Sequence, residues 1–261
     1  MALLDEKQLA DLNRHFTALQ GDVTLTLFTQ ENQCEYCKIT KNLLTELASL
    51  TTKIRLELKD FVADKDEADK YGVDKIPAIV VRGVEDYGIR FFGVPAGYEF
   101  TTLIEDILMV SKGAHGLSPE VMAELDKVDQ PVRIQVIISP TCPYCPTMVR
   151  TAHRFALANK FISADMIEIS EYPWLGQRYA VSGVPHTMLS ETYGVVGVYN
   201  ELDFAREVLR GIGKLPIEAA TVKQHDHDHE KTVPKPKPAA KPKPAAEKAA
   251  KKKPARKGGG K

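Results

Sequence analysis

Compact runs of β-branched and large apolar residues take turns along this chain with longer stretches whose apolar positions recur every three or four residues. The runs predict strands and the stretches predict amphipathic helices. Residues 6–19 read as a helix ending near Gly21, and 23–28 as a strand. Ile39, Leu43, Leu44 and Leu47 then mark one face of a second helix. A strand over 54–58, a short helix over 65–71, strands over 78–81 and 89–93 and a helix over 99–110 complete a first series. A second series keeps that order. It has a helix over 119–128, a strand over 132–138 and a helix marked by Met148, Val149, Ala152, Phe155 and Ala156. Strands over 165–169, 187–189 and 195–198 and a helix over 202–210 follow. Gly113 and Gly116 interrupt the helical pattern where the two series meet.

Composition adds bounds. With 43% hydrophobic residues in 261, the chain has material for two cores of roughly 100 residues each. No apolar run reaches the ~18 residues of a membrane span. The opening residues become charged at Asp5-Glu6-Lys7 before a leader-like apolar core forms. The expectation is a soluble, cytoplasmic protein without a membrane partner. The net charge of zero hides a division: residues 231–261 hold 11 Lys and one Arg against a single Glu. An acidic body therefore carries a basic tail. The tail is rich in Lys, Pro and Ala and poor in anything that packs, which predicts disorder over 216–261.

All 4 cysteines fall in two Cys-x-x-Cys motifs, Cys34-Glu35-Tyr36-Cys37 and Cys142-Pro143-Tyr144-Cys145. Pro77 follows Cys34 by 43 residues and Pro185 follows Cys142 by the same 43. The motifs thus belong to the repeat. A strand, Cys-x-x-Cys, then a helix puts the first cysteine near a helix N-terminus, where unpaired N–H groups favour a thiolate. Cys34 and Cys142 are the candidate nucleophiles, and Cys37 and Cys145 the candidate resolving thiols. The rival reading is a zinc site. Paired ligands of a zinc ribbon stand about 15–20 residues apart, whereas Cys37 and Cys142 stand 105 apart, in different copies of the repeat. The matched offset also predicts for Pro77 and Pro185 a shared structural role, a cis bond in each copy. Glu57 and Glu168 are a third matched pair, one on each strand after a motif helix. Each is either a solvent-facing strand residue or, if buried near the cysteines, a raised-pKa carboxyl able to carry the resolving thiol's proton. Glu35 stands where the second motif has Pro143, so Cys34 should hold its proton more tightly than Cys142, and the second site should be the more oxidising.

These residues, with Phe91-Phe92-Gly93-Val94-Pro95-Ala96-Gly97-Tyr98-Glu99-Phe100, Pro140-Thr141 before Cys142 and Glu171-Tyr172-Pro173, resemble the glutaredoxin-like protein disulfide oxidoreductases of thermophiles. The resemblance covers about residues 5–213. It implies two tandem thioredoxin-like domains, 1–115 and 116–215, each a central mixed β-sheet flanked by helices. It also implies cis bonds at Pro77 and Pro185, backbone contacts to an extended substrate from Ile76 and Val184, and buried acids at Glu57 and Glu168. The implied partners are disulfide-containing proteins, with a thioredoxin reductase as electron donor. Tyr193-Gly194-Val195-Val196-Gly197 stands where glutaredoxins carry a glutathione-holding Gly-Gly and Asp, so neither glutathione nor any other cofactor is expected.

Rival functions remain. One is a dedicated electron carrier to a peroxiredoxin, like the tandem thioredoxin-fold modules of peroxiredoxin reductases, although those keep one Cys-x-x-Cys. A non-enzymatic rival is a zinc- or polyanion-binding scaffold. The basic tail suits nucleic acid or other polyanions by charge, but no aromatics interleave its lysines. His225-Asp226-His227-Asp228-His229 has metal-ligand chemistry in a segment with nothing to shape it.

Overall fold

The structure is a computed structural model that describes residues 3–217. The basic-tail and His225–His229 readings lie outside the described residues. The apolar runs become β1 (Val23–Thr29), β2 (Ile54–Asp60), β3 (Ala78–Arg82) and β4 (Asp86–Phe92) in the first series. The second series gives β5 (Val132–Ile138), β6 (Ile162–Glu168), β7 (His186–Met188) and β8 (Gly194–Val196). The periodic stretches become α1 (Glu6–Phe16), α2 (Cys37–Ser49), α3 (Lys65–Lys70) and α4 (Tyr98–Lys112), then α5 (Pro119–Leu125), α6 (Cys145–Ala158), α7 (Pro173–Arg178) and α8 (Glu201–Gly211).

The strands form one sheet in the order β2-β1-β3-β4-β6-β5-β7-β8. Each half contributes four strands. They join where β4 pairs with β6 in parallel, from Ile89 opposite Ala164 to Phe92 opposite Ile167. Apart, β4 and β6 would each present a row of unpaired backbone groups; the seam satisfies both edges at once. Alternation along the strands then separates two cores. Leu25, Leu27, Ile134 and Val136 face one side, against Leu44 of α2, Leu103 of α4, Phe155 of α6 and Phe204 of α8. Phe155 and Phe204 stack at 5.3 Å, and truncating either to Ala should cost ~3–5 kcal/mol. Phe28, Val80, Phe92, Ile137 and Ile167 face the other side, covered by Ala68 of α3 and Leu175 of α7.

Two local expectations change. Ile39 is not on the buried face of α2: the packed stripe is Thr40, Leu43, Leu44 and Leu47, and Ile39 points out with 41% of its surface exposed. Helix α7 carries no apolar period that would announce it; Pro173 at its first turn starts it, and Leu175 alone is buried.

Candidate active site

Strand β1 is antiparallel to β3, β3 to β4, while β4, β6 and β5 run parallel. So β1 and β5 point the same way, and both Cys-x-x-Cys motifs leave the same edge of the sheet. Both motif helices also pack on the same face, since α2 and α6 share one core. Four strand spacings separate β1 from β5, on the order of 19 Å. That is too far for the four sulfurs to surround one tetrahedral ion, whose Zn–S bonds are about 2.3 Å.

In each motif the helix proper begins at the second cysteine, with the tyrosine before it as cap. The first cysteine sits three residues earlier in the turn, and Cys142 N–H donates to Ser139 O at 3.0 Å. Cys34 is bonded to Cys37, while Cys142 and Cys145 are free thiols. Cys34 is partly exposed, Cys37 and Cys145 are buried, and Cys142 retains only 9% of its surface.

The Ile76-Pro77 and Val184-Pro185 peptides are both cis. Each proline carbonyl accepts from a glycine N–H on the far side of a hairpin, Gly93 to Pro77 and Gly197 to Pro185, both at 2.9 Å. Both glycines have φ near +90°, a conformation that Cβ-bearing residues avoid (Gly93 at 91°, Gly197 at 93°). At the second site the Cys142 thiol lies 3.7 Å from Val184 O. The cis-proline loop of the second half therefore borders the Cys142 sulfur.

Of the matched pair of glutamates, Glu168 is buried and Glu57 is not. Glu57 is opposite Thr26 in β1 and shares its side of the sheet with Phe28, away from α2. It accepts from Arg82 Nη2 at 2.7 Å and Thr26 Oγ1 at 3.3 Å and keeps 23% side-chain exposure. Glu57 is thus an ion-paired strand residue rather than a buried acid facing the cysteines. Glu168 is buried, but both its oxygens close a turn, accepting Ser170 N–H at 3.1 Å and Glu171 N–H at 3.0 Å.

Two other carboxyls carry the unusual electrostatics. Burial pushes Glu99 up to about 7, with the Asp106 charge adding and the Thr102 hydroxyl, His153 and Arg150 opposing. Thr102 faces it without reaching hydrogen-bond geometry, and both Glu99 oxygens are buried and unpaired. The start of α4 lies on the second motif's loop: Tyr98 N–H reaches Pro140 O at 3.3 Å, and a Cβ on Gly97 would meet that oxygen at 2.3 Å. Cys145 feels the arrangement. Burial raises its thiol well above the usual range, the Cys142 sulfur adds to that, the Ser139 backbone opposes it, and the Cys142 and Glu99 charges raise it further. At the first motif, burial likewise pushes Glu171 up to about 7; the Val94 N–H, 2.7 Å from its Oε1, opposes, and the Glu168 and Glu35 charges add. Tyr36, between Cys34 and Cys37, is raised first by Glu35, then by burial and by Glu171 and Glu168. Tyr172 completes the junction, its hydroxyl donating to Pro77 O at 3.1 Å.

Fold and sites together define a tandem thioredoxin-fold dithiol protein. The sequence profile of the Thioredoxin domain family matches residues 25–105 and again 132–210, and the chain belongs to that family. Among solved structures, it is similar to a protein disulfide oxidoreductase from Aeropyrum pernix, at 27% identity and a TM-score of 0.73 over 83% of this chain and 98% of that one. It is also similar to the N-terminal domain of an alkylhydroperoxide reductase from Enterococcus faecalis, at 25% identity and 0.73 over 78% and 99%. An NADH dehydrogenase of Bacillus subtilis is 28% identical over 194 residues, 74% of this chain. A component of the Staphylococcus aureus alkyl hydroperoxide reductase is 28% identical over 129 residues, 49% of this chain. The chain spans 35% and 23% of the length of these two relatives.

Glu99 and Glu171 escaped sequence reasoning as acids. For Glu99 a signal existed: Glu99, Leu103, Asp106 and Val110 occupy one stripe of α4, so two carboxylates fall on an otherwise apolar face. Nothing comparable marks Glu171, which lies in a turn.

Proposed function

We propose that the protein catalyses thiol–disulfide exchange on protein substrates, reducing, forming or isomerising their disulfides through two sites. The observation that carries this reading is that both Cys-x-x-Cys pairs leave the same edge of one sheet, each at a helix start and each in the half that holds a cis-proline loop. Cys34 and Cys142 attack, and Cys37 and Cys145 resolve the mixed disulfide. The backbone of Ile76 and Val184 receives the substrate as an added strand. Residues 1–115 and 116–215 act as the two catalytic units, with 216–261 as an appendage. Two exchange-competent pairs, rather than a structural disulfide framework, support a cytoplasmic location. The test is reduction of insulin by dithiothreitol with catalytic amounts of the protein. Acceleration lost only when both pairs are replaced by serine supports the reading. No acceleration, together with tightly held stoichiometric zinc in the reduced protein, overturns it.

A second reading is an electron carrier from a thioredoxin reductase to a peroxiredoxin. The likeness to alkyl hydroperoxide reductases favours it. Peroxiredoxin reduction at least ~100-fold faster than insulin reduction, with NADPH and a thioredoxin reductase as donor, would select it.

A further inference from the structure

The turn after β6 belongs to the second half, yet the β4–β6 pairing sets it beside the first half's cis-proline loop. The two strands run parallel and end at the same edge, with Phe92 opposite Ile167. Contacts across that line hold the loop. The Tyr172 hydroxyl donates to Pro77 O at 3.1 Å, and the tyrosine is buried. Glu171 Oε1 accepts the Val94 N–H at 2.7 Å, one residue past Gly93, whose own N–H donates to Pro77 O at 2.9 Å. A Cβ on Gly93 would stand 2.9 Å from the Glu171 carboxyl carbon, so glycine lets the turn approach this closely. Ahead of the proline, Asp74 accepts from Arg133 Nη1 at 2.9 Å. Between them, buried Lys75 sets its Nζ 3.8 Å from the Phe92 ring centroid and 5.9 Å from that of Tyr172. From Asp74 to Pro77 the loop is thus fastened at both ends by side chains of the other half.

The second loop lacks this fastening. Pro185 O accepts from Gly197 N–H at 2.9 Å, within its own half. Among the described residues no side chain donates to that carbonyl, and no hydrogen bond or ion pair joins residues 181–185 to the first half. At the matching offset from their proline, Ser182 and Gly183 replace Asp74 and Lys75, and both are exposed.

We propose that Tyr172 is a positioning residue for the first site: by holding the Pro77 carbonyl from the other half, it keeps the Ile76 backbone turned to receive an extended polypeptide, so that this site favours disulfides flanked by extended chain. The proposal rests on the dithiol reading above and adds that the two sites differ in how their substrate loops are held. Two donors on Pro77 O, the Gly93 N–H and the Tyr172 hydroxyl, fix the loop's direction where it turns into β3. A loop already in its bound shape loses less conformational freedom when a strand is added beside it. Without the tyrosine hydroxyl one donor remains, which keeps the carbonyl paired but loosens the loop.

The test is single-turnover exchange by the full chain with Cys142→Ser and Cys145→Ser, reduced and then freed of reductant. One substrate is a disulfide-linked peptide whose cleavage restores fluorescence; the other is dithiobis(nitrobenzoate), which has no backbone to add as a strand. In Tyr172→Phe the half-saturating peptide concentration should rise ~5-fold with the limiting rate held, and the nitrobenzoate rate should stay at that of the parent. Half-saturation by excess peptide does not depend on the fraction of molecules that fold, so reduced yield leaves it readable. In the converse protein, with Cys34→Ser and Cys37→Ser, the same substitution should change neither rate. Tyr179→Phe removes a hydroxyl bonded to Gln135 Oε1 at 3.2 Å within the second half, and it should leave the first site as it was. An unchanged peptide half-saturation in Tyr172→Phe overturns the proposal. An equal loss for both substrates, a loss at the second site, or the same shift in Tyr179→Phe overturns it as well, since each marks a general structural effect. No reaction of the parent with either substrate removes the dithiol reading, and the proposal falls with it.

Discussion

Around the first motif the carboxylates crowd a rim: Glu35 is exposed inside the motif, Glu168 closes a turn, and Glu171 has one oxygen on the Val94 N–H. Behind the second motif Glu99 is enclosed with neither oxygen paired, and Asp106 is buried farther along the same helix. The two backbones nevertheless follow one template, down to the glycine that holds each cis-proline carbonyl. The difference comes from who supplies the acid. Glu168 and Glu171 belong to the second half and act on the first site; Glu99 belongs to the first half and acts on the second. The repeated units thus hold two unequal motifs, each flanked by carboxyls of the other half.

The bluntest way to break this comparison is to remove one nucleophile at a time. Cys142→Ser should lower exchange at the second site by ~10³-fold or more and leave the first running, and Cys34→Ser should do the converse. Insulin reduction by each variant checks this; loss of all exchange in either one would mean the sites do not work separately.

Next in size is the stability carried by the acids. Folding raises Glu99 from the ordinary 4.5 to about 7. A group raised by folding contributes stability that is fully present below the unfolded value and lost as pH climbs through the folded one. Glu99→Gln should therefore stabilise the protein by ~2 kcal/mol at pH 8 and change it little at pH 4.5. Glu171→Gln should follow the same sign with a similar gain, because burial raises Glu171 to about 7 as well, against the Val94 N–H. Urea unfolding at the two pH values measures both, and no gain at pH 8 in either variant would contradict the burial of that carboxyl.

The smallest effect sharpens the comparison at the sulfurs. Cys34 should react as a thiolate only at higher pH than Cys142, since carboxylates surround its motif. Iodoacetamide titration of Cys37→Ser and Cys145→Ser variants reads the order. Glu35→Pro, which writes the second motif into the first, should narrow the gap. A reversed order would show that helix and loop geometry outweigh the acids.

Much of this arrangement is legible in the sequence, and the reason differs from element to element. Strands such as β3 are written in short apolar runs and β5 in alternating apolar positions, and the two motifs and their prolines are tied together by spacing within one copy of the repeat. Glu57 misled because its match to Glu168 is a match of position along the chain, whereas strand parity and Arg82 decide which way it faces. Glu171 and Glu99 act across the boundary between copies, and repeat matching compares positions within copies. The β4–β6 pairing that brings the copies together leaves no mark in either strand's own pattern.

That pairing also governs traffic between the sites. Sulfur-to-sulfur exchange needs contact, and a ladder of backbone hydrogen bonds running straight through the middle of the molecule provides no pivot on which one half could swing toward the other. Under the dithiol-exchange reading, two electrons that arrive at one pair should pass to the other through a second molecule, so equilibration between the sites should quicken as concentration rises.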